Sequence, residues 1–228
     1  MKAEGSRQKA DGSPKGEVRK ILVCFAVKEE ARPFQRLVGG RGKVRVILVG
    51  MGRRNAERAV RAALAEERPD LVMSCGFAGG LRPELATGTV VFAADPATGL
   101  GPGLLAAGAK AALFHSTNTV VATGEQKRAL WVSTGADAVE MESEIIRAVC
   151  REQEIPSATV RVILDSADED LPLDFNQLMT ADQKMSYGKM AMAVARSPVK
   201  VAALLRLQKQ TGVAARNLAE VLARVTAA

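Results

Sequence analysis

Residues 69–81 read "PDLVMSCGFAGGL". A short apolar run, opened by Pro69 and Asp70, ends among Gly76, Gly79 and Gly80. The run shows no polar alternation, which is the pattern of a strand covered on both faces. Its glycine-rich end reads as a turn, where a backbone can approach a ligand closely or take positive φ. Similar runs lie on either side. "KILVCFAV" (20–27) and "VRVILVGMG" (44–52) precede it; "TGTVVFAADP" (87–96), "TNTVVAT" (117–123) and "IPSATVRVILDSAD" (155–168) follow. Helical patterns stand between them. "NAERAVRAALAEE" (55–67) places Ala59, Val60, Ala63 and Leu64 at helical spacing behind Asn55 as an N-cap. "GEQKRALWVSTGA" (124–136) is a helix stopped near Gly135, and another helix, over about 142–153, follows "AVEMES". In "KEEARPFQRLVGG" (28–40) Pro33 limits any helix to a brief one, and "ATGLGPGLLAAGAKAA" (97–112) is a loop or thin helix. Strands alternate with helices, and no clear two-residue hairpin turn joins them. The pattern predicts an α/β fold: a single domain with a mainly parallel or mixed central sheet flanked by helices. The last 45 residues read as two or three helices broken at Pro198 and Gly212.

Length and composition agree with one large domain of 228 residues, 47% hydrophobic and 25% charged. No apolar run reaches the roughly 18 residues of a membrane span. Residues 1–18 are polar and rich in Gly, Ser and Lys, which predicts a disordered tail ahead of a domain at 19–228. Lacking an apolar secretion core, that start predicts a cytoplasmic protein. Cys24, Cys75 and Cys150 are far apart and His115 is the sole histidine, so no sequence-local metal site and no disulfide framework is expected. The net charge of +7 is concentrated at the end of the chain: residues 184–228 carry eight Lys or Arg against one acid, Glu220. A basic, helical 183–228 segment allows peripheral contact with an anionic membrane. Nucleic acid is not expected, because aromatics are few and do not interleave with the basic residues.

In open α/β sheets, sites gather at the carboxyl ends of strands. By that rule Lys28-Glu29-Glu30, the Gly50–Arg54 stretch, Gly76–Gly80 and Asp165 converge, joined by Glu140 and Glu142 of "AVEMES". The segments "VMSCGFAGGLRPELATGTVVFA", "AVEMES" and "VRVILDSAD" stand in the order and spacing of the purine nucleoside phosphorylase superfamily. Within it the chain resembles the 5'-methylthioadenosine/S-adenosylhomocysteine nucleosidases, over residues 20–168. The "TGADAVEMES" wording is also similar to the hopanoid-associated phosphorylases.

The resemblance implies cleavage of the N-glycosidic bond of a 5'-substituted, adenosine-type purine nucleoside, without a cofactor or metal, in a homodimer. It implies that Asp165 is the general acid toward purine N7 and that Glu30 activates water. Glu142 would bind the ribose hydroxyls with Met141 against the sugar; Gly76, Phe77 and Ala78 would line the pocket, and Phe175 would stack on the base. The chain departs from the family at Phe77, where serine or threonine is common, and at Leu164, where serine is common. It also lacks the long insertion, with its base-stacking phenylalanine, that the nucleosidases carry before "VEME". Water is the implied nucleophile, since Ser74 and Phe77 replace phosphate-binding residues of the uridine-type phosphorylases. Phosphorolysis remains the alternative, with Arg32, Arg53 and Arg54 as a phosphate cradle. A non-catalytic nucleoside-binding protein is the further alternative.

Overall fold

In the computed structural model, residues 19–39, 42–178, 180 and 199–227 are described. The proposed tail, residues 1–18, and most of 179–198, including Pro198, lie outside them. The run at 69–81 becomes strand β3 (Leu71–Gly80), at the centre of the sheet. It pairs in parallel with β1 (Ile21–Phe25) through its first half, and β1 pairs in parallel with β2 (Val44–Leu48). On the other side β3 runs parallel to β8 (Ser157–Asp165) over nearly its whole length. Among the described residues the sheet order is β2-β1-β3-β8-β4-β5, with β4 (Val90–Ala94) antiparallel to β8 and β5 (Lys110–Ala111) on the edge. Beyond the end of β1, Gly79 and Gly80 pair antiparallel with β7 (Ala138–Glu140), and β6 (Phe114–Ser116) lies against β7. The sheet is mixed, and the glycines expected to form a turn stay in the strand. Gly76, at φ 151, and a register shift after Ala78 let β3 bend from β1 toward β7 instead.

Helices cover both faces. On one, α1 (Lys28–Val38) and the C-terminal helix α7 (Val199–Thr226) pack over the sheet. There Phe34 and Val38 meet Leu218, Leu222 and Val225, above Phe25, Met73 and Val160. On the other, α2 (Arg53–Glu66) and α5 (Ser143–Glu152) bury Val60, Ala63, Ile146 and Val149 against Leu22 and Val72. Between β4 and β7 run a short 3-10 turn (Pro96–Thr98), α3 (Gly101–Ala106) and α4 (Gly124–Thr134). A single turn, α6 (Phe175–Leu178), precedes α7. Thr123 caps α4 by accepting from the Gln126 N–H, and Gly135 closes it in the left-handed conformation. The three cysteines are buried and free.

Three expectations are corrected. The helix at 28–38 is eleven residues long with Pro33 inside it, because burial of Ala31, Phe34 and Val38 outweighs the hydrogen bond the proline lacks. Residues 117–123 form no strand. Their backbone is held by Asn176, which exchanges two hydrogen bonds with Val120, and by the Leu171 N–H donating to the Ala122 carbonyl. The segment from Val199 onward is one helix that runs through Gly212 without a break.

Candidate active site

Four strands and one loop deliver the site. β1 ends at Phe25, and α1 begins three residues later with Glu30 in its first turn. The Glu30 carboxylate turns back over the helix start: Oε2 accepts from the N–H groups of Ala26 (3.0 Å) and Val27 (3.1 Å). Its Oε1 accepts from the Phe77 N–H of β3 at 2.9 Å. Glu30 is buried, whereas its neighbour Glu29 is exposed at the rim. Gly76 makes this approach possible. A Cβ there would lie 2.6 Å from the Arg161 guanidinium and 2.7 Å from Glu30 Oε1.

From β7 come Glu140 and, just past its end, Met141 and Glu142. Glu140 Oε2 accepts from the N–H groups of Glu142 (2.9 Å) and Ser143 (2.6 Å), and Oε1 from the Ser143 hydroxyl (2.9 Å) and from Ser116. It therefore holds the first turn of α5 and the backbone that carries Glu142. Glu142 in turn accepts from the Gly52 N–H at 2.7 Å.

Arg161 of β8 lies among these acids, fully buried. Its Nη2 is 2.6 Å from Glu140, 3.6 Å from Glu142 and 3.1 Å from the Ser74 hydroxyl. Sequence reading missed it, although an arginine inside the apolar "SATVRVILD" cannot be solvated and must be paired. Ser74 stands where an arginine was lacking on β3; the neighbouring strand supplies one.

These contacts set the charges. Burial pushes the Glu30 carboxyl up, against Arg161 and three N–H donors. Burial also opposes ionisation of Glu140, yet Arg161, Ser116 and the two N–H donors outweigh it and hold that carboxyl below its ordinary value. Glu142 is raised to about 7 by burial, with Arg161 opposing and Glu140 adding to the rise. Asp165, at the end of β8, is raised by burial against the attraction of Lys127, whose ammonium lies 2.5 Å from Oδ2.

A cavity of about 480 Å³ opens onto this cluster. Glu30, Glu142, Met141, Phe77, Ala78, Asp165 and Phe175 all line it. Gly76 does not; it makes room for the Glu30–Arg161 contact behind the wall. The rest of the lining includes Met51, Val120, Val121, Leu164, Leu171 and, from α7, Leu207. Arg32, Arg53 and Arg54 are not brought to the cavity. All three are exposed on the outer faces of α1 and α2, and Arg53 pairs with Glu144 at 3.4 Å.

Residues 12–107 and 97–196 match the sequence profile of the phosphorylase superfamily. The chain belongs to that superfamily. It is, with it, a glycosyl-bond-cleaving enzyme. A relative from Shewanella halifaxensis (strain HAW-EB4), a 5'-methylthioadenosine/S-adenosylhomocysteine nucleosidase, is 25% identical over 162 residues, 56% of this chain and 70% of that one. The same fold is seen in the nucleosidase of that name from Neisseria meningitidis, with a TM-score of 0.66, 20% identity, and 91% of this chain covered against 98% of the other. It is seen again in futalosine hydrolase of Helicobacter pylori, with a TM-score of 0.64, 18% identity, and coverage of 90% and 97%. At that distance the two structures speak for the shared architecture.

Proposed function

We propose that the protein hydrolyses the N-glycosidic bond of an adenosine-type nucleoside with a substituent at the 5' position, releasing the purine. The observation that carries this reading is that Glu142, just past the end of β7, and Asp165, at the end of β8, face one cavity of nucleoside size. In this reading the sugar sits over Met141, with its hydroxyls on the Glu142 carboxylate, and the base reaches Asp165 with Phe175 against its ring. As the C–N bond breaks, its electron pair moves to the purine and Asp165 gives a proton to N7. The sugar carbon gains positive charge, which the Glu142 carboxylate stabilises. Water adds to that carbon, and Glu30 takes its proton.

The nucleophile is argued from Glu30. Its carboxylate already occupies three backbone N–H donors next to the Arg161 guanidinium. An incoming phosphate would need donors of that kind, and would meet a negative charge in their place. The exposed positions of Arg32, Arg53 and Arg54 offer no second cradle on the cavity wall. The nearby relatives named as nucleosidases and as a hydrolase support the same reading. Residues 19–228 serve as the one catalytic domain in this reading.

Product analysis tests it. The protein is incubated with methylthioadenosine and a panel of other nucleosides, with and without inorganic phosphate, and products are separated by chromatography. Adenine with the free 5-substituted ribose, in both conditions, is the expected result. Strict dependence on phosphate with formation of a ribose 1-phosphate would establish phosphorolysis instead.

A further inference from the structure

Lys127 is the one buried lysine among the described residues, fully enclosed although Gln126 and Arg128 beside it are exposed. It sits in the first turn of α4 and reaches across to the end of β8. The ammonium donates to the carbonyls of Ser166 (2.7 Å) and Glu169 (2.6 Å), and Asp165 Oδ2 lies 2.5 Å from it as an ion-pair partner. Burying a lysine costs several kcal/mol unless its donors are satisfied; the two carbonyls hold the ammonium whatever the charge on Asp165, and an ionised Asp165 adds a paired charge. Lys127 does not line the cavity, whereas Asp165 does. The ammonium therefore approaches the carboxyl from behind, where no substrate can touch it.

The other charged groups around Asp165 do not duplicate this contact. Glu169, in the loop after β8, repels a charge on Asp165. Its carboxylate is turned to the Ser166 N–H and to the Gln210 amide of α7. Arg161, on the same strand, is engaged with Glu140, Glu142 and Ser74. From β3 the nearest approach is Gly79, which brings no charge. Glu30 and Glu142 face the same cavity and are of like sign.

We propose that Lys127 is a positioning residue for the reaction: it fixes one oxygen of Asp165 and stabilises the carboxylate left behind when the proton passes to the leaving purine. The inference rests on the reading of Asp165 as general acid. The charge balance is local. Asp165 starts protonated, one proton moves to purine N7, and the aspartate formed is matched by the lysine already beside it. Without the ammonium Asp165 keeps its proton to higher pH but surrenders it less readily to the purine.

The experiment follows kcat against pH for the full chain with saturating methylthioadenosine, in wild type, Lys127→Met and Lys127→Gln. Glutamine retains N–H donors for the Ser166 and Glu169 carbonyls without the charge. In both variants the plateau should fall by roughly 10- to 100-fold, and the alkaline limb should move up by about one pH unit or more. A purely structural role would lower the plateau and leave the limb in place, and that result overturns the proposal. Should neither variant fold, the Lys127 15Nζ resonance of the wild-type protein is followed across the same pH range. It should change with the apparent pKa of the alkaline limb, and a resonance that stays flat there overturns the proposal equally. Asp165→Asn separates the two levels. If it retains turnover, the general-acid reading fails; if it loses turnover while the lysine variants keep an unshifted limb, the role given to Lys127 alone fails.

Discussion

Burial, opposed by Arg161 and reinforced by Glu140, raises the Glu142 carboxyl from an ordinary 4.5 to about 7. The folded chain thus holds this proton more tightly than the unfolded chain does. Its contribution to stability is complete below about pH 4.5 and is lost as the pH rises through 7. Glu142→Gln, which mimics the protonated group, should therefore be more stable than wild type at pH 8, by on the order of 1–3 kcal/mol, and no more stable at pH 4. Urea unfolding at the two pH values reads this, and a less stable variant at pH 8 would show that attraction to Arg161 outweighs burial. In the proposed chemistry the same group must be ionised. kcat/KM should then rise toward neutral pH, and the glutamine variant should lose roughly 100- to 1,000-fold in turnover. Arg161 carries the opposite sign of argument. Arg161→Met removes the cation from between Glu140 and Glu142 and should cost about 3–5 kcal/mol, as expected when a buried ion pair loses one partner. The two cations of the site also differ in how visible they are. Arg161 was legible in principle, since it stands inside the apolar run "VRVIL" (160–164). Lys127 was not: it follows Gln126 and precedes Arg128 in a polar helix start, and its partners come from another strand and the loop after it.

At the scale of elements, local chemistry foretold the strands that are buried on both faces and misjudged the segments whose state depends on distant contacts. β3 and β8 stand out in the sequence because apolar residues predominate in both; their polar side chains are buried. "TNTVVAT" looks the same locally, but Asn176 and Leu171, more than forty residues later, take its backbone hydrogen bonds and leave its valines on the cavity wall. Gly212 was read as a helix end, and tertiary packing of α7 against α1 carries the helix through it. Gly212→Ala should stabilise the protein by about 0.5–1 kcal/mol, since an added Cβ would meet nothing nearer than the Arg216 guanidinium at 3.8 Å. Thermal unfolding of the two proteins decides it; a lower midpoint in the variant would mean that the glycine serves a bend. Gly76→Ala is the contrasting case. Its Cβ would collide with both Arg161 and Glu30, at a φ of 151 that side chains rarely adopt, so turnover should be lost even where the chain still folds.

For the whole molecule, the basic end of the chain stands out in the sequence by its charge and is expected inside the 19–228 domain, and α7 also closes one face of the sheet. Ala214, Leu218, Leu222 and Val225 belong to the same buried cluster as Phe25, Phe34, Leu104 and Val160. Leu207 and Thr211, farther up the helix, line the cavity. The positive side chains are what remains on the outside once that face is buried; Arg206 and Arg216 project from exposed positions. No helix among the described residues is long and apolar enough to cross a membrane. Each buried leucine lost from such a core costs about 2–5 kcal/mol, while a whole domain is stable by only about 5–15 kcal/mol. A chain ended before Val199 forfeits Leu218 and Leu222 together, and also uncovers Phe34 and Val38 on α1. It should show no cooperative urea transition and should be digested by protease under conditions in which the full chain survives. Leu218→Ala, a milder lesion of the same face, should remain folded with a lower unfolding midpoint. If the shortened chain instead unfolds cooperatively and still releases adenine from the nucleoside, α7 is an appendage, and the layer it was assigned on this face of the sheet must be closed by other residues.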